Sequence, residues 1–380
     1  MKLHRIPAVY MRGGTSKAVM FKENDLPPGR AERDALFLAV MGAPDPSARN
    51  LDGMGGGLSS LNKVCVVGPP SRADADVDYT FVQLEAATDT VDYGGNCGNM
   101  SSAIGPFAIE EGLVPSPAEG EAVVRIHNTN TGKIIVARFP VVDGMLAPDG
   151  ALALDGVAGT AAPIRLEFLS PGGAKTGRLL PTGHAVDVLD LPGFGPIEAS
   201  CIDAANPCVF VRATDVGKSG TELPTELERD IAWLERMEAI RRAASVAMGL
   251  AADREAAAKL ASVPKVAMVC PPADARTLTG ATLEAGAADI TVRMISVGQP
   301  HRAVPITGSI CLAVATRVPG SIPASICAAA EGPTRIGHPS GTTLVDADVA
   351  VDGNGQAVAK LGAVYRTARR LFEGNAVYRL

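Results

Sequence analysis

The chain has 380 residues, of which 47% are hydrophobic and 20% charged, and its formal net charge is −6. This composition can build a sizeable core, and the length favours two domains. An acidic balance without a block of Lys or Arg argues against nucleic acid as a partner, so an anionic ligand would need a local positive site. No segment approaches about 20 consecutive apolar residues, and residues 1–10 lack the apolar run of a signal peptide, so we expect a cytoplasmic protein without a membrane span.

The cysteines and histidines indicate neither disulfides nor a metal site. Seven cysteines are scattered along the chain without a CxxC pair, which disfavours a disulfide framework and a zinc ribbon. The five histidines show no ligand spacing with one another or with acidic residues. These residues are Cys65, Cys97, Cys201, Cys208, Cys270, Cys311 and Cys327, and His4, His127, His184, His301 and His338.

A polar connection joins the first two predicted strands, residues 5–9 and 18–21. Residues 12–17 (RGGTSK) offer backbone N–H groups, hydroxyl groups and a guanidinium. Arg12 can bind a carboxylate through two hydrogen bonds, with Ser16 beside it, because the glycines allow close approach. The alternative interpretation is an ordinary Gly-Gly hairpin with a surface arginine.

The next elements place a lysine at the start of an apolar strand. An amphipathic helix is predicted over residues 30–41, followed by a flexible glycine loop at 51–60 and a buried strand at 61–67. Lys63 in that strand either extends its ammonium group to solvent or lies desolvated with a lowered pKa. Residues 79–84 form a further predicted strand.

A cysteine then stands before an uncharged helix. Residues 94–100 (GGNCGNM) form a turn-rich loop, and residues 101–109 contain almost no charge. We expect Cys97 at the first turn of a buried helix, where unpaired N–H groups and the helix dipole favour a thiolate and bind carboxylates at Gly98 and Asn99. The alternative is a free cysteine that fills the core.

The middle of the chain is predicted to hold a hairpin, the domain connection and an outer helix. Residues 172–183 are rich in Gly, Pro and Thr and are the best candidate for the crossover. The expected domains are 1–183 and 184–371, with residues 372–380 returning to the first domain. Other predicted elements are strands at 123–126 and 133–139 around a turn at 127–132, strands at 197–202 and 208–213, and an amphipathic helix at 226–250 that carries Trp233.

The pattern of the Cys97 region then repeats. A polar loop containing His301 leads to Thr307, Gly308 and Ser309, and an apolar helix follows at 310–316. Two charge-free helices, each preceded by a donor-rich loop, indicate an internal duplication, with each helix at the centre of its domain. Residues 335–342 supply another Gly/Ser loop with Ser340, and residues 361–370 a closing strand.

Four separated motifs resemble the PrpF family. They are residues 12–17 (RGGTSK), 96–99 (NCGN), 206–207 (NP) and 305–311 (PITGSIC), in the family's order. The resemblance covers nearly the whole chain. It implies the diaminopimelate-epimerase-like α/β fold, in which two similar domains each wrap a curled, mostly antiparallel sheet around a central apolar helix. It also implies an active site in the cleft between them and no cofactor.

The resemblance further implies a catalytic lysine and cysteine, which match Lys63 and Cys97. Related epimerases and racemases use two cysteines, one at the head of each central helix. Here Thr307 matches Cys97 in the second half, and Cys311 lies one turn inside the helix. A single head-of-helix thiol with a lysine favours an isomerase that moves a proton between two carbons.

We therefore expect a cofactor-independent isomerase that shifts a double bond in a small unsaturated di- or tricarboxylate such as 4-oxalomesaconate, methylitaconate or methylaconitate. Lys63 and Cys97 would share the acid and base roles, and the sequence leaves open which of them removes the proton. Backbone N–H groups would hold carboxylates and stabilise developing negative charge. The residues expected to bind the substrate are Arg12, Ser16, Gly98, Asn99, His301, Thr307, Gly308, Ser309 and Ser340.

Two alternatives stay open at this stage. One is an epimerase or racemase of an amino or hydroxy acid, and the other is a non-catalytic accessory protein to an aconitase-like dehydratase. The substrate within the class, double-bond migration as against cis–trans isomerisation, and the oligomeric state are also open, with a homodimer as the expectation.

Overall fold

A computed structural model describes residues 3–329, 331–353 and 355–379 of the chain. They form two compact units, one of Met1–Glu167 with Tyr365–Leu380 and one of Phe168–Val364. The predicted domain breaks, after residues 183 and 371, lie further along the chain than these. Within 172–183, Lys175 and Thr176 donate backbone hydrogen bonds to the carboxylate of Asp203, which ties this segment to the second unit.

The elements follow one another in a sheet-dominated order. As far as Leu169 they are β1 (Leu3–Gly13), β2 (Ser16–Lys22), α1 (Arg30–Met41), β3 (Lys63–Gly68), β4 (Val77–Leu84), β5 (Val91–Asp92), α2 (Gly98–Glu110), β6 (Gly120–Asn128), β7 (Lys133–Val142), β8 (Met145–Leu146), β9 (Leu152–Leu154), β10 (Val157–Ala161) and β11 (Ile164–Leu169). The strands β12 (Asp187–Leu191), β13 (Gly195–Ala204) and β14 (Asn206–Arg212) come next, followed by α3 (Pro224–Leu227), α4 (Ile231–Ala247), α5 (Arg254–Lys259), β15 (Lys265–Cys270), β16 (Ala275–Arg276), β17 (Thr282–Leu283), β18 (Ile290–Ser296), β19 (Gln299–Pro300), α6 (Ile306–Ala315), α7 (Ile322–Ile326), β20 (Thr334–His338), β21 (Gly341–Val351), β22 (Ala357–Arg366) and β23 (Ala368–Arg379).

The first unit is a mixed sheet with a helix on each face. The β1–β2 hairpin is followed by parallel pairing of β2 with β3, antiparallel pairing of β3 with β4, and parallel pairing of β4 with β6. Val64 and Val66 of β3 pack with Phe37 of α1 in one core cluster. Because side chains alternate along a strand, Lys63 and Cys65 point to the opposite face. The apolar helix α2, which contributes no residue to that cluster, packs on this second face.

The second unit repeats this order. The β13–β14 hairpin is followed by parallel β14–β15, antiparallel β15–β18 and parallel β18–β20 pairings. Helix α4 lies between β14 and β15 along the chain, as α1 lies between β2 and β3, and α6 occupies the place of α2. The predicted duplication, with one apolar helix in each repeat, is therefore confirmed.

Several local predictions need correction. The helix predicted at 226–250 is two helices, because the Asp230 side chain accepts from the backbone N–H of Trp233 and starts α4 at Ile231. The loop predicted at 335–342 is mostly strand, with β20 and β21 paired from Thr334↔Val345 to the turn at 339–340. The helix at 30–41 and the hairpin of β6 with β7 are confirmed.

Candidate active site

Lys63 is a buried lysine held by a fixed amide. Its side chain is 7% exposed, and its Nζ donates to Oε1 of Gln83, the residue opposite it on β4. The Nε2 of Gln83 donates in turn to the backbone carbonyls of Asn62 at 2.9 Å and Ser59 at 3.1 Å, which fixes the amide orientation. The ring of Phe81 lies 5.1 Å from Nζ. Within the described part of the chain, no carboxylate pairs with this ammonium group.

Cys97 is the N-cap residue of α2, and its thiol is not used for capping. Its backbone carbonyl accepts from the N–H and the hydroxyl of Ser101, at 2.9 and 3.1 Å. The side chain is half-buried, so a ligand can reach the thiol at the positive end of the helix dipole. The prediction of a cysteine at the head of a buried helix is confirmed in its geometry.

The charges of Lys63 and Cys97 both affect the pKa of the buried Cys65 thiol. Its pKa is raised by burial and further by the charge of Cys97, and Lys63 acts in the opposite direction. Strand alternation puts Lys63 and Cys65 on the α2 side of the sheet in the first unit, and Cys97 is the N-cap residue of α2 itself.

The loop at Gly14 and the start of α2 are built against each other. The Nδ2 of Asn99 donates to Thr15 Oγ1 at 3.1 Å. Gly14 has a φ of +52°, and a Cβ there would stand 2.3 Å from Asn99 Oδ1. Arg12 donates through Nη1 to the carbonyl of Gly14 at 2.9 Å and to Thr367. Gly14 thus allows the loop to contact the start of α2, and one nitrogen of the Arg12 guanidinium is used in hydrogen bonds within the loop and to Thr367.

Arg12 and Ser16 also line a cavity of about 860 Å³. Lys17 and Arg369 contribute to its wall, whereas neither catalytic candidate does. Burial, and then the neighbouring charge of Arg369, lower the pKa of Arg12. Substrate binding by Arg12 and Ser16 therefore stays a prediction, and this cavity does not bring them together with the lysine and the cysteine.

Arg366 lies beside Asn99 at the start of α2 and was not predicted from the sequence. Its Nε lies 3.4 Å from Asn99 Oδ1, and its Nη1 donates to the carbonyl of Tyr365 at 2.8 Å. Burial lowers its pKa to about 10, and no carboxylate among the described residues pairs with it. The available signal in the sequence was an arginine at the end of the apolar run Ala363, Val364 and Tyr365.

The predicted residues of the second unit differ in accessibility. Thr307 is exposed and is the second residue of α6, whose N-cap is Pro305. Gly308 and Ser309 are buried, and the Ser309 hydroxyl donates to the carbonyl of Ile306 at 2.8 Å. Ser309 therefore offers a ligand no free hydroxyl hydrogen, because that hydrogen is used within the helix.

Ser340 and Cys311 are both engaged within the second unit. The Ser340 hydroxyl donates to the carbonyl of Arg302 at 2.7 Å. Cys311 is fully buried with its Sγ 3.5 Å from the carbonyl of Ile202, and burial raises its pKa. His301 is half-buried, and burial followed by the charge of Lys265 lowers its pKa.

Neither a metal site nor a membrane helix is present in the part of the chain that the structure describes. No three His, Cys, Asp or Glu side chains there are grouped so that they could hold a metal ion. None of the helices there is long and apolar enough to span a bilayer.

The chain is similar to known isomerases over nearly all of its length. The model of the family described as PrpF protein matches residues 3–379. A 2-methyl-aconitate isomerase of Shewanella oneidensis and a 3-methylitaconate isomerase of Eubacterium barkeri are each 41% identical, with 97% of this chain and 96% of the relative covered. A (4E)-oxalomesaconate Delta-isomerase of a Novosphingobium species is 38% identical over the same shares.

A solved structure shows the same fold. The crystal structure of a methylitaconate-delta-isomerase matches with a TM-score of 0.90 at 39% identity, covering 100% of this chain and 96% of the other. The predicted fold class, a mixed α/β architecture of two similar halves, is therefore confirmed.

Proposed function

This chain belongs to the PrpF family and is an isomerase, and from that premise we propose that it shifts a double bond in a small unsaturated di- or tricarboxylate by 1,3-allylic proton transfer without a cofactor. The named substrates of its relatives, methylaconitate, methylitaconate and oxalomesaconate, support this class. All three carry carboxylates conjugated with, or one carbon from, a C=C bond.

The proposed reaction needs two groups that handle protons. One group removes a proton from the carbon beside the double bond, and the electron pair spreads over the conjugated system as a dienolate. A proton is then returned to the far carbon, so the double bond moves and the composition is unchanged. Lys63 and Cys97 are the proposed pair, each contributing about 10²–10⁴-fold.

One observation carries this assignment. Lys63 faces the side of the sheet that carries α2, and Cys97, whose thiol makes no capping hydrogen bond, is the N-cap residue of α2. The acceptor that holds the Lys63 ammonium is a neutral amide oxygen rather than a carboxylate. The half-buried thiol stands at the N-terminal end of α2, where a ligand can reach it.

Negative charge on the substrate would be met by groups at the start of α2. The first backbone N–H groups of a helix lack intrahelical partners and bind carboxylates. Asn99 adds a side-chain amide, and Arg366 adds a buried guanidinium beside it. A buried cation without an anionic partner is costly, and a substrate carboxylate would compensate its charge.

The racemase alternative gains no support from the second unit. Two-sided proton exchange at one carbon needs a second acid/base, and a thiol at the head of α6 would supply it. Cys311 is instead sealed in the core with a raised pKa, and the N-cap position holds Pro305.

NMR in D₂O tests the proposal with methylaconitate, methylitaconate and oxalomesaconate. The wild-type protein should move the double bond in at least one of them and incorporate solvent deuterium at the new C–H. Lys63→Met and Cys97→Ser should each slow both processes by at least about 100-fold. Lys259→Met and Cys327→Ser are the matched controls. Turnover at the wild-type rate in both catalytic variants would reject the assignment.

A further inference from the structure

The repeat places a second lysine where the first unit has Lys63. Lys265 is the first residue of β15, as Lys63 is the first residue of β3, and each of these strands runs parallel to the second strand of a hairpin. Val266 is paired with Ile295, so Lys265 stands opposite Ser296 on β18. The Nζ of Lys265 donates to the Ser296 hydroxyl at 2.7 Å, in the manner of Lys63 and Gln83.

Lys265 faces the central helix of its unit. Val266 and Ile295 pack in one core cluster with Trp233 of α4, so Lys265 points to the other face. The start of α6 lies there, because a Cβ added to Gly308 would be 2.6 Å from Met294 Sδ. Lys265 is half-buried, and within residues 3–329, 331–353 and 355–379 no carboxylate pairs with it.

His301 brings a second unused donor to the same face. Its backbone N–H donates to the carbonyl of Met294, which places His301 across the β18–β19 turn on the Lys265 side. Its Nε2 is buried and has no hydrogen-bond partner among the described residues. His301 lies opposite Met294 and Lys265 opposite Ser296, two residues along β18 on the same face, and the charge of Lys265 contributes to lowering the His301 pKa.

We propose that Lys265 and His301 form a carboxylate-binding site in the second unit, beside the start of α6, for a small di- or tricarboxylate. A half-buried ammonium without an anion and a buried ring nitrogen without a partner are both costly, and one carboxylate satisfies both through charge-assisted hydrogen bonds. Ser296 is a positioning residue that directs the ammonium group. The ligand class rests on the proposed function, whereas the site rests on the geometry.

Calorimetric titration of the full chain with tricarballylate, a saturated tricarboxylate that cannot isomerise, tests the site. Lys265→Met should weaken binding about 10- to 100-fold, Ser296→Ala less, and Lys265→Arg least. Lys259→Met, at an exposed lysine of the same unit, is the control. In parallel, NMR of the His301 ring, assigned with His301→Gln, should show its pKa rising when tricarballylate binds the wild type and staying constant in Lys265→Met.

The stoichiometry of the titration distinguishes two sources of the carboxylate, the substrate itself and a separate ligand. One ligand per chain with weakened binding in Lys265→Met supports a carboxylate of the substrate itself, and two ligands of which one is lost supports a separate ligand. Unchanged titration in Lys265→Met with no ligand response of His301 overturns the inference. If the His301 pKa responds to tricarballylate but no substrate undergoes double-bond migration, the proposed function alone is rejected. If double-bond migration occurs but the His301 pKa does not respond, this site alone is rejected.

Discussion

The ammonium group of Lys63 donates to the side-chain oxygen of Gln83, and the amide nitrogen of Gln83 donates to the backbone carbonyls of Asn62 and Leu84. The acceptor that faces the lysine is therefore fixed as the amide oxygen. A carboxylate in place of this amide would favour the protonated form of the lysine. A group that must both take up and give off a proton would then be hindered in taking one up.

Gln83→Glu should move the lysine-dependent limb of the kcat–pH profile to higher pH. If Lys63 is the base, the rate at pH 7 falls, and if it is the acid, that rate is kept while activity extends to higher pH. The variant therefore decides which role the lysine has. Gln356→Glu, at an exposed glutamine, is the control. A profile that coincides with the wild type would contradict the catalytic assignment of Lys63.

Cys97 should be the first of the seven cysteines to be alkylated by limiting iodoacetamide at pH 8. Burial raises the pKa of Cys65, Cys201, Cys311 and Cys327, and that of Cys270 to about 11, so these thiols carry little thiolate at pH 8. The remaining cysteine, Cys208, is fully buried and out of reach of the reagent. Peptide mapping by mass spectrometry measures the order of labelling. Equally fast labelling of Cys327, the other half-buried cysteine, would count against an activated Cys97.

Gly14→Ala should lower the free energy of unfolding by about 2 kcal/mol or more, because the left-handed backbone disfavours a side chain and the new Cβ would collide with Asn99. Gly95→Ala is the matched control, because no atom lies within 4 Å of a Cβ at that exposed glycine. Urea unfolding of both variants gives the comparison. Equal stabilities would show that the loop and the helix start are not packed as described.

Arg366→Met should raise KM about 10- to 100-fold with a smaller change in kcat, because the substrate loses a charged partner beside Asn99. The free energy of unfolding at neutral pH should not fall, since the variant removes an uncompensated buried charge. Arg5→Met, at an exposed arginine of the same unit, is the control. An unchanged KM would remove Arg366 from the site.

The same variant gives a pH dependence with a defined sign. The pKa of Arg366 is lowered to about 10 in the folded protein, below its ordinary value of 12.5. Below pH 10 both states hold the proton, so the stability difference between wild type and Arg366→Met is constant. Above pH 10 the unfolded chain holds more protons, and the wild type should gain stability relative to the variant. Urea unfolding between pH 9 and 11.5 measures the difference.

Local patterns in the sequence were sufficient to locate Lys63 at the start of its strand, Cys97 at the head of its helix, and the two central helices. The Cys97 loop and the apolar run after it lie within a few residues of each other, so helix position and thiol placement follow from local rules. Lys265 could also have been found, because KVAMVC repeats KVCVVG in its lysine-first apolar pattern.

The partners of those residues depend on strand pairing and were not predictable. Gln83 reaches Lys63 through the register of β3 on β4, and Arg366 reaches Asn99 across 267 residues of sequence. The break before Ile231 was missed because amphipathic spacing runs through it, and only the capping contact of Asp230 marks the start of α4.

The N-cap residues of the two central helices have different chemistry. That of α2 is Cys97, which carries a thiol, whereas that of α6 is Pro305, whose ring nitrogen carries no hydrogen and whose side chain cannot accept or release one. The two repeats thus share one scaffold, and of their two central-helix caps only that of the first repeat is redox-sensitive. An oxidant that modifies a cap of these helices therefore has a single target per chain, the Cys97 thiol.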